Sequence, residues 1–252
     1  MLSPYAIYDG APPSGVPVLD IDPFSAPFFD DPYPAHEAMR EAGPFVWLGR
    51  YNIGAVARDE HVREALTDWE RFSSARGVGM EDFERHGRFR LPSLILEADP
   101  PLHTRSRGVL SRALSPPVLK GLRARFAAEA EALVERVVAA GRFDAIGDLA
   151  EAYPLRVFPD AMGMKREGRE KLLPHAEMLF NSFGPRNALF EASREKASFD
   201  WIEEQGRREN LSPGLGLVIQ EAADRGEISH EEAPLLVRAL LQAGLDTTVN
   251  AI

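Results

Sequence analysis

The chain has 252 residues, 44% of them hydrophobic and 27% charged, which is enough apolar content for a buried core and too much for a disordered chain. Its net charge of −10 disfavours non-specific nucleic-acid binding. The absence of cysteine excludes disulfides, cysteine nucleophiles and thiolate metal sites within these residues. No apolar run approaches ~18 residues, so no membrane span is predicted. Met1-Leu2-Ser3-Pro4-Tyr5 has neither the basic nor the apolar region of a signal peptide, and the cytoplasm is the expected compartment.

Residues 1–35 carry Pro12, Pro13, Pro17, Pro23, Pro27, Pro32 and Pro34, and a segment so short of amide donors reads as an extended arm. The region 36–73 follows as helix and hairpin. His36 to Ala42 is a short amphipathic helix closed by Gly43-Pro44. Phe45-Val46-Trp47-Leu48 and Tyr51 to Ala57 form a β-hairpin about Gly49-Arg50, the one convincing strand pair in the sequence. Asp59 is read as the cap of a helix running to about Thr67. Residues 74–99 hold Gly77, Gly79, Gly87 and Pro92 without a sustained period, and a loop of that length in a compact domain usually has a function.

From Pro100 to the end, residues 100–252 read as a helical body. The first helix spans 100–114, with Asp99 as the expected N-cap and two prolines where a missing amide donor costs least. Leu119, Leu122, Phe126, Ala130, Leu133 and Val137 form one stripe ending at Gly141. Further helices are predicted near 147–162, 167–181, 187–206 and 214–224. The last begins with a Ser229/Glu232 capping box and runs unbroken from Ala233 to Ile252, so the chain is expected to stop in mid-helix.

Four groups of residues have chemical potential. On the 100–114 helix, His103 and Arg107 share a face with Leu110 and Leu114, while Arg105 and Arg112 take the opposite face. A cationic pair among leucines is costly to bury unless an anion meets it, although a solvated basic helix with an incidental histidine fits the same pattern. Residues 103–125 hold six basic side chains and no acidic one, either a docking patch for an acidic protein or a solvated cluster. In Leu241-Gln242-Ala243-Gly244-Leu245-Asp246-Thr247-Thr248, Ala243 and Gly244 leave room for a flat group. Thr247 can bond back to the Ala243 carbonyl and loosen the helix, and Asp246 with Thr247 could pass protons. Small residues in a helix also serve plain packing. Finally, Phe180 and Phe183 stand at the spacing of a core pair, and Arg90 and Ser93 lie in the long loop, a position suited to anion recognition.

Together these pieces resemble the cytochrome P450 family of haem-thiolate monooxygenases, in its soluble bacterial class. Glu97-Ala98-Asp99-Pro100-Pro101-Leu102-His103-Thr104-Arg105-Ser106-Arg107 is similar to the family's C-helix signature. The resemblance implies that His103 and Arg107 hold a propionate of haem b. Ala243-Gly244-Leu245-Asp246-Thr247-Thr248 is similar to the I-helix signature. It implies that Ala243 and Gly244 lie against the haem, and that Asp246 and Thr247 handle protons while O₂ is activated. Asp31-Pro32-Tyr33-Pro34 with the next helix and hairpin matches the family's opening. The implied fold is mainly α with a small β-hairpin region, a single incomplete domain over 1–252 that ends within the I-helix. The family's Glu-x-x-Arg helix and axial Cys come later and have no counterpart. No metal ligand is therefore expected in this chain, which alone would be inactive.

A finer similarity joins Arg90-Leu91-Pro92-Ser93-Leu94-Ile95-Leu96, Phe180 and Phe183 to a bacterial subgroup that oxidises para-substituted benzoic acids. It implies that Arg90 and Ser93 hold the substrate carboxylate, that Leu96 lines the pocket, and that the phenylalanines clasp the ring. Arg238-Ala239 fall near the same carboxylate, with Ala239 offering no hydroxyl. The implied activity inserts one atom of O₂ into a small aromatic acid, by hydroxylation or O-demethylation. Electrons would arrive from a [2Fe-2S] ferredoxin docking near Arg105 and Arg112. A rival of another class is a truncated, non-catalytic helical ligand-binding or interaction module without haem.

Overall fold

The computed structural model describes residues 6–88, 90–196 and 199–252. Met1-Leu2-Ser3-Pro4-Tyr5, and Ala197-Ser198 within the predicted 187–206 helix, lie outside the described residues.

The arm is not wholly extended. Val18–Leu19 forms β1, which pairs in parallel with β2, Val46–Leu48, placing Val18 opposite Trp47 and Leu19 opposite Leu48. Between them lie α1, Ala26–Asp30, and α2, Tyr33–Ala42. The Ser25 hydroxyl caps α1 by accepting from Phe28 N at 3.4 Å. Proline lacks only the donor: the Pro17 carbonyl accepts from Trp47 N at 2.8 Å and seats the arm on the sheet edge. The predicted hairpin forms as β2 against β3, Ile53–Ala55, in antiparallel register. Its turn places Asn52 in the left-handed region at φ 54, where the side chain accepts from Trp47 Nε1 at 2.8 Å. The next helix, α3, covers Asp59–Thr67 with Arg58 rather than Asp59 at the cap position. Inside the long loop, α4 spans Phe83–His86, capped by Asp82.

Behind the two prolines, α5 covers Leu102–Ala113. Its N-cap position is Pro101, with no side-chain cap bond, which corrects the expectation for Asp99. Pro101 takes that place with a backbone already near helical values. The stripe of leucines lies on α6, Pro116–Ala140, closed by Gly141 at φ 71. Ala145–Glu151 is a π-helical stretch running into α7, Ala152–Met162. After a 3₁₀ turn at Arg169–Lys171 come α8, Leu172–Asn181, α9, Ala188–Lys196, and α10, Phe199–Gln205. A second 3₁₀ turn, Arg208–Asn210, precedes α11, Leu215–Asp224. The predicted unbroken last helix is instead two: α12, Glu232–Ala243, and α13, Asp246–Val249.

The chain divides into two compact units. One comprises residues 1–89 with 181–194, where Met39, Val46 and Leu48 form a small core against Leu19, Ile21 and Ile53. The other comprises residues 90–180 with 195–252. Its larger core joins Val109, Leu110, Met162, Ile219, Leu236 and Leu241, drawn from α5, α7, α11 and α12. That second unit holds most of the residues singled out by the sequence. Among the described residues, no helix is long and apolar enough to cross a membrane.

Candidate functional site

On α5, the two basic pairs meet different fates. Leu110 is buried, His103 half-buried and Arg107 exposed, so the histidine leans inward while Arg107 does not, contrary to an inward pair. The long Arg107 side chain reaches past the leucines, leaving its charge in solvent. Neither residue takes part in an ion pair among the described residues. The outward pair is exposed as expected, but each member is already engaged. Arg105 pairs with Glu232, and Arg112 pairs with Glu227. Glu232 also completes the capping box at the start of α12: Ser229 N donates to its Oε2 at 2.8 Å, and its own N–H donates to Ser229 Oγ at 3.2 Å. Lys120, Arg123 and Arg125 remain exposed, without an ion pair among the described residues.

The junction of α12 and α13 opens at Gly244-Leu245, where Leu245 adopts φ −106 and ψ −83. The expected back-bond is present, with Thr247 Oγ1 donating to the Ala243 carbonyl at 2.8 Å. Thr248 Oγ1 repeats the pattern on Gly244 at 3.2 Å. Two adjacent hydroxyls thus compete for helix carbonyls, a cause of the break that spacing alone underestimates. The room expected over Gly244 is filled. A Cβ there would come within 2.3 Å of the Phe158 ring, so the flat group against this glycine is the chain's own phenylalanine. Ala243 is exposed. Asp246 is half-buried, and Asn250 Nδ2 donates to its carboxylate at 3.1 Å.

The third locus is the most buried. Arg90 Nη1 and Nη2 donate to Glu97 Oε2 and Oε1 at 2.7 and 2.5 Å, a two-pronged pair whose side chains are 4% and 1% exposed. Ser93 N donates to the same Oε2 at 2.8 Å. The Ser93 hydroxyl accepts from Ile95 N and Leu96 N at 3.3 and 3.1 Å. A carboxylate therefore already lies on Arg90 and Ser93, and it belongs to the protein. Above it on α12, Arg238 is 3% exposed and donates through Nη2 to the Leu91 and Pro92 carbonyls at 3.0 and 3.2 Å. Among the described residues its Nε has no acceptor, and its nearest acid, Glu203, stands 4.0 Å from Nη1. Burial, followed by the neighbouring Arg90 charge, lowers the Arg238 pKa, against the pull of Glu203 and Glu97. Burial and then Arg238 push the His175 pKa down to about 4, so its ring is neutral at pH 7. The Gln242 side chain lies 2.7 Å from His175 Nε2.

Glu97, His175, Glu203 and Gln242 escaped the sequence reading as members of this cluster. A signal existed for Glu97: it is an acid directly behind Leu94-Ile95-Leu96, four residues from Ser93 and seven from Arg90. The aromatic pair is not on one helix. Phe180 is on α8, but α8 ends at Asn181, and Phe183 sits in the following turn, its carbonyl accepting from Met80 N at 2.9 Å. Gly184 and Pro185 stop the helical run there. Phe180 is 44% and Leu96 52% exposed, and Phe183 belongs to the other compact unit.

No family model matches the chain. Among curated proteins, cytochrome P450 CYP199A2 of Rhodopseudomonas palustris is 55% identical over 243 residues, covering 95% of this chain and 59% of that protein. The epothilone C/D epoxidase of Sorangium cellulosum is 28% identical over 94% of this chain and 60% of its own length. The chain thus spans about three fifths of the curated relatives it matches. Among solved structures, P450BioI in complex with an acyl carrier protein superposes with a TM-score of 0.70 at 21% identity, over 90% of this chain and 61% of that one. CalO2 does so with 0.69 at 25% identity, over 90% and 59%. In sequence over nearly its whole length, and in fold, this chain matches the N-terminal portion of cytochromes P450, the haem-thiolate monooxygenases.

Proposed function

We propose that the chain supplies the substrate pocket and proton path of a cytoplasmic monooxygenase acting on a small aromatic acid, a para-substituted benzoate. The observation that carries this reading is the Arg238 guanidinium: it is buried, its Nε has no acceptor among the described residues, and it lies beside a second buried arginine. A buried cation with a spare donor favours an anionic ligand, and a carboxylate fits it in charge and shape. An aromatic acid held by its carboxylate presents the far, para end to the reacting centre, which favours hydroxylation or O-demethylation there.

The residues fit the edge of a haem, not its iron. His103 and Arg107, one turn apart on α5 and outside any ion pair among the described residues, would hold a propionate. The axial thiolate has no candidate, since the chain contains no cysteine. Bound haem would supply the activation of O₂. Thr247 Oγ1 then serves as a positioned proton donor, its hydrogen resting on the Ala243 carbonyl until it is needed. Asp246, steadied by Asn250, stands next to it as the acid of the relay. Electrons arrive from an acidic [2Fe-2S] ferredoxin on the basic face of α5 and α6. Near Arg105 and Arg112 such a partner competes with Glu232 and Glu227, whereas Lys120, Arg123 and Arg125 need no such exchange.

Calorimetric titration with 4-methoxybenzoate and 4-methoxytoluene tests the substrate class. The acid should bind at least about tenfold more tightly, because the neutral analogue leaves the spare Arg238 Nε donor desolvated and unmet. Equal affinities would overturn the reading.

A further inference from the structure

The Arg90–Glu97 pair leads one step past the substrate reading, on which this inference rests. We propose that Glu97 is a built-in competitor for the substrate carboxylate, a specificity-determining residue that occupies the anion seat in the absence of ligand and yields part of it on binding. The geometry points this way because Glu97 already makes the contacts an incoming acid would want. Both of its oxygens lie on the Arg90 fork, and Oε2 also accepts from Ser93 N. Arg90 and Ser93 are the groups that the family resemblance implies hold the substrate carboxylate, next to the Arg238 that would attract it, and a guanidinium end presents one carboxylate-shaped edge. An arriving carboxylate cannot take that edge while Glu97 keeps both bonds.

The second buried guanidinium has a looser partner than the first. The fully buried carboxylate of Glu97 lies on Arg90, whereas the acid that meets Arg238 is Glu203, 4.0 Å from Nη1 with 29% of its side chain exposed. The neutral His175 adds no positive charge at pH 7. Displacing the tethered glutamate costs every anion the same amount, so a weak anion stays unbound at concentrations where a ligand that also buries an aromatic ring binds.

The proposal predicts the sign of an effect that scaffolding alone would reverse. Glu97→Gln keeps the shape and removes the competing charge, so 4-methoxybenzoate should bind about tenfold more tightly than to wild type. The neutral 4-methoxybenzamide should bind both equally, and Glu97→Asp should stay near wild type. Unchanged or weaker binding of the acid to the Gln variant would overturn the proposal. A second measurement needs no variant. In infrared difference spectra of wild-type protein, 4-methoxybenzoate labelled with ¹³C in its carboxylate moves its own band away from those of the protein. A shifted glutamate carboxylate stretch on binding is expected, and an unmoved protein band would sink the idea. If wild type prefers the acid to 4-methoxytoluene but Glu97→Gln gains nothing, only the role of Glu97 falls. If no form of the protein prefers the acid, the substrate reading falls with it.

Discussion

Two pairs of arginines divide the second unit between surface and core. Arg105 and Arg112 lie on the outside of α5, each met by a glutamate, with side chains 49% and 59% exposed. Arg90 and Arg238 lie inside, with 3–4% of their side chains exposed, the first on the fully buried Glu97 and the second 4.0 Å from Glu203. Outside, water screens each charge, and an ion pair that forms contributes only about 0–1 kcal/mol. Inside, each charge must find a partner or remain a standing demand for one. The surface pairs are therefore interchangeable in energetic terms, and the buried ones set what the fold will accept.

The sharpest way to break this contrast is Glu97→Ala without ligand. It removes the carboxylate from the buried Arg90 fork and should cost about 3–5 kcal/mol in urea denaturation. A cost within the range of a surface substitution would erase the distinction.

A pH titration of stability comes next. The folded His175 pKa of about 4 lies below its ordinary value of 6.5, so the unfolded chain binds more protons between those limits. Its contribution is complete above about pH 6.5, is lost as pH falls toward 4, and changes no further below that. The total is on the order of 3 kcal/mol. His175→Gln should flatten that slope; an unchanged slope would place the titration elsewhere.

The smallest effect belongs to the surface. Arg105→Ala and Arg112→Ala should each shift stability by less than about 1 kcal/mol, a difference that shrinks in high salt. A salt-insensitive loss of several kcal/mol would mean that these pairs are part of the core in all but exposure.

What the sequence revealed follows the reach of the forces involved. The hairpin, the α6 stripe closed by Gly141, the Ser229/Glu232 box and the Thr247 back-bond were all legible, because each is decided by residues a few positions apart. The strand β1 was not, since Val18-Leu19 becomes a strand only when β2 lies beside it, 29 residues further along at Trp47. Gly244 looked open because nothing local announces Phe158, which arrives from α7. Arg90 and Ser93 were picked out as an anion site, yet their partner Glu97 was read only as part of a helix signature. A carboxylate within the chain leaves no pattern that distinguishes it from an ordinary charged residue.

The junction after α12 has one more consequence. The Ala243 and Gly244 carbonyls are each bonded by a threonine hydroxyl. A backbone amide can leave its acceptor only if the chain moves with it, on the slow timescale of collective motion. A hydroxyl leaves by turning about a single bond, and side-chain torsions of that kind reorient in picoseconds to nanoseconds when they are exposed, as Thr247 is. At this one place along the helix, an acceptor can be lent to a passing water or ligand and taken back while the backbone stays where it is.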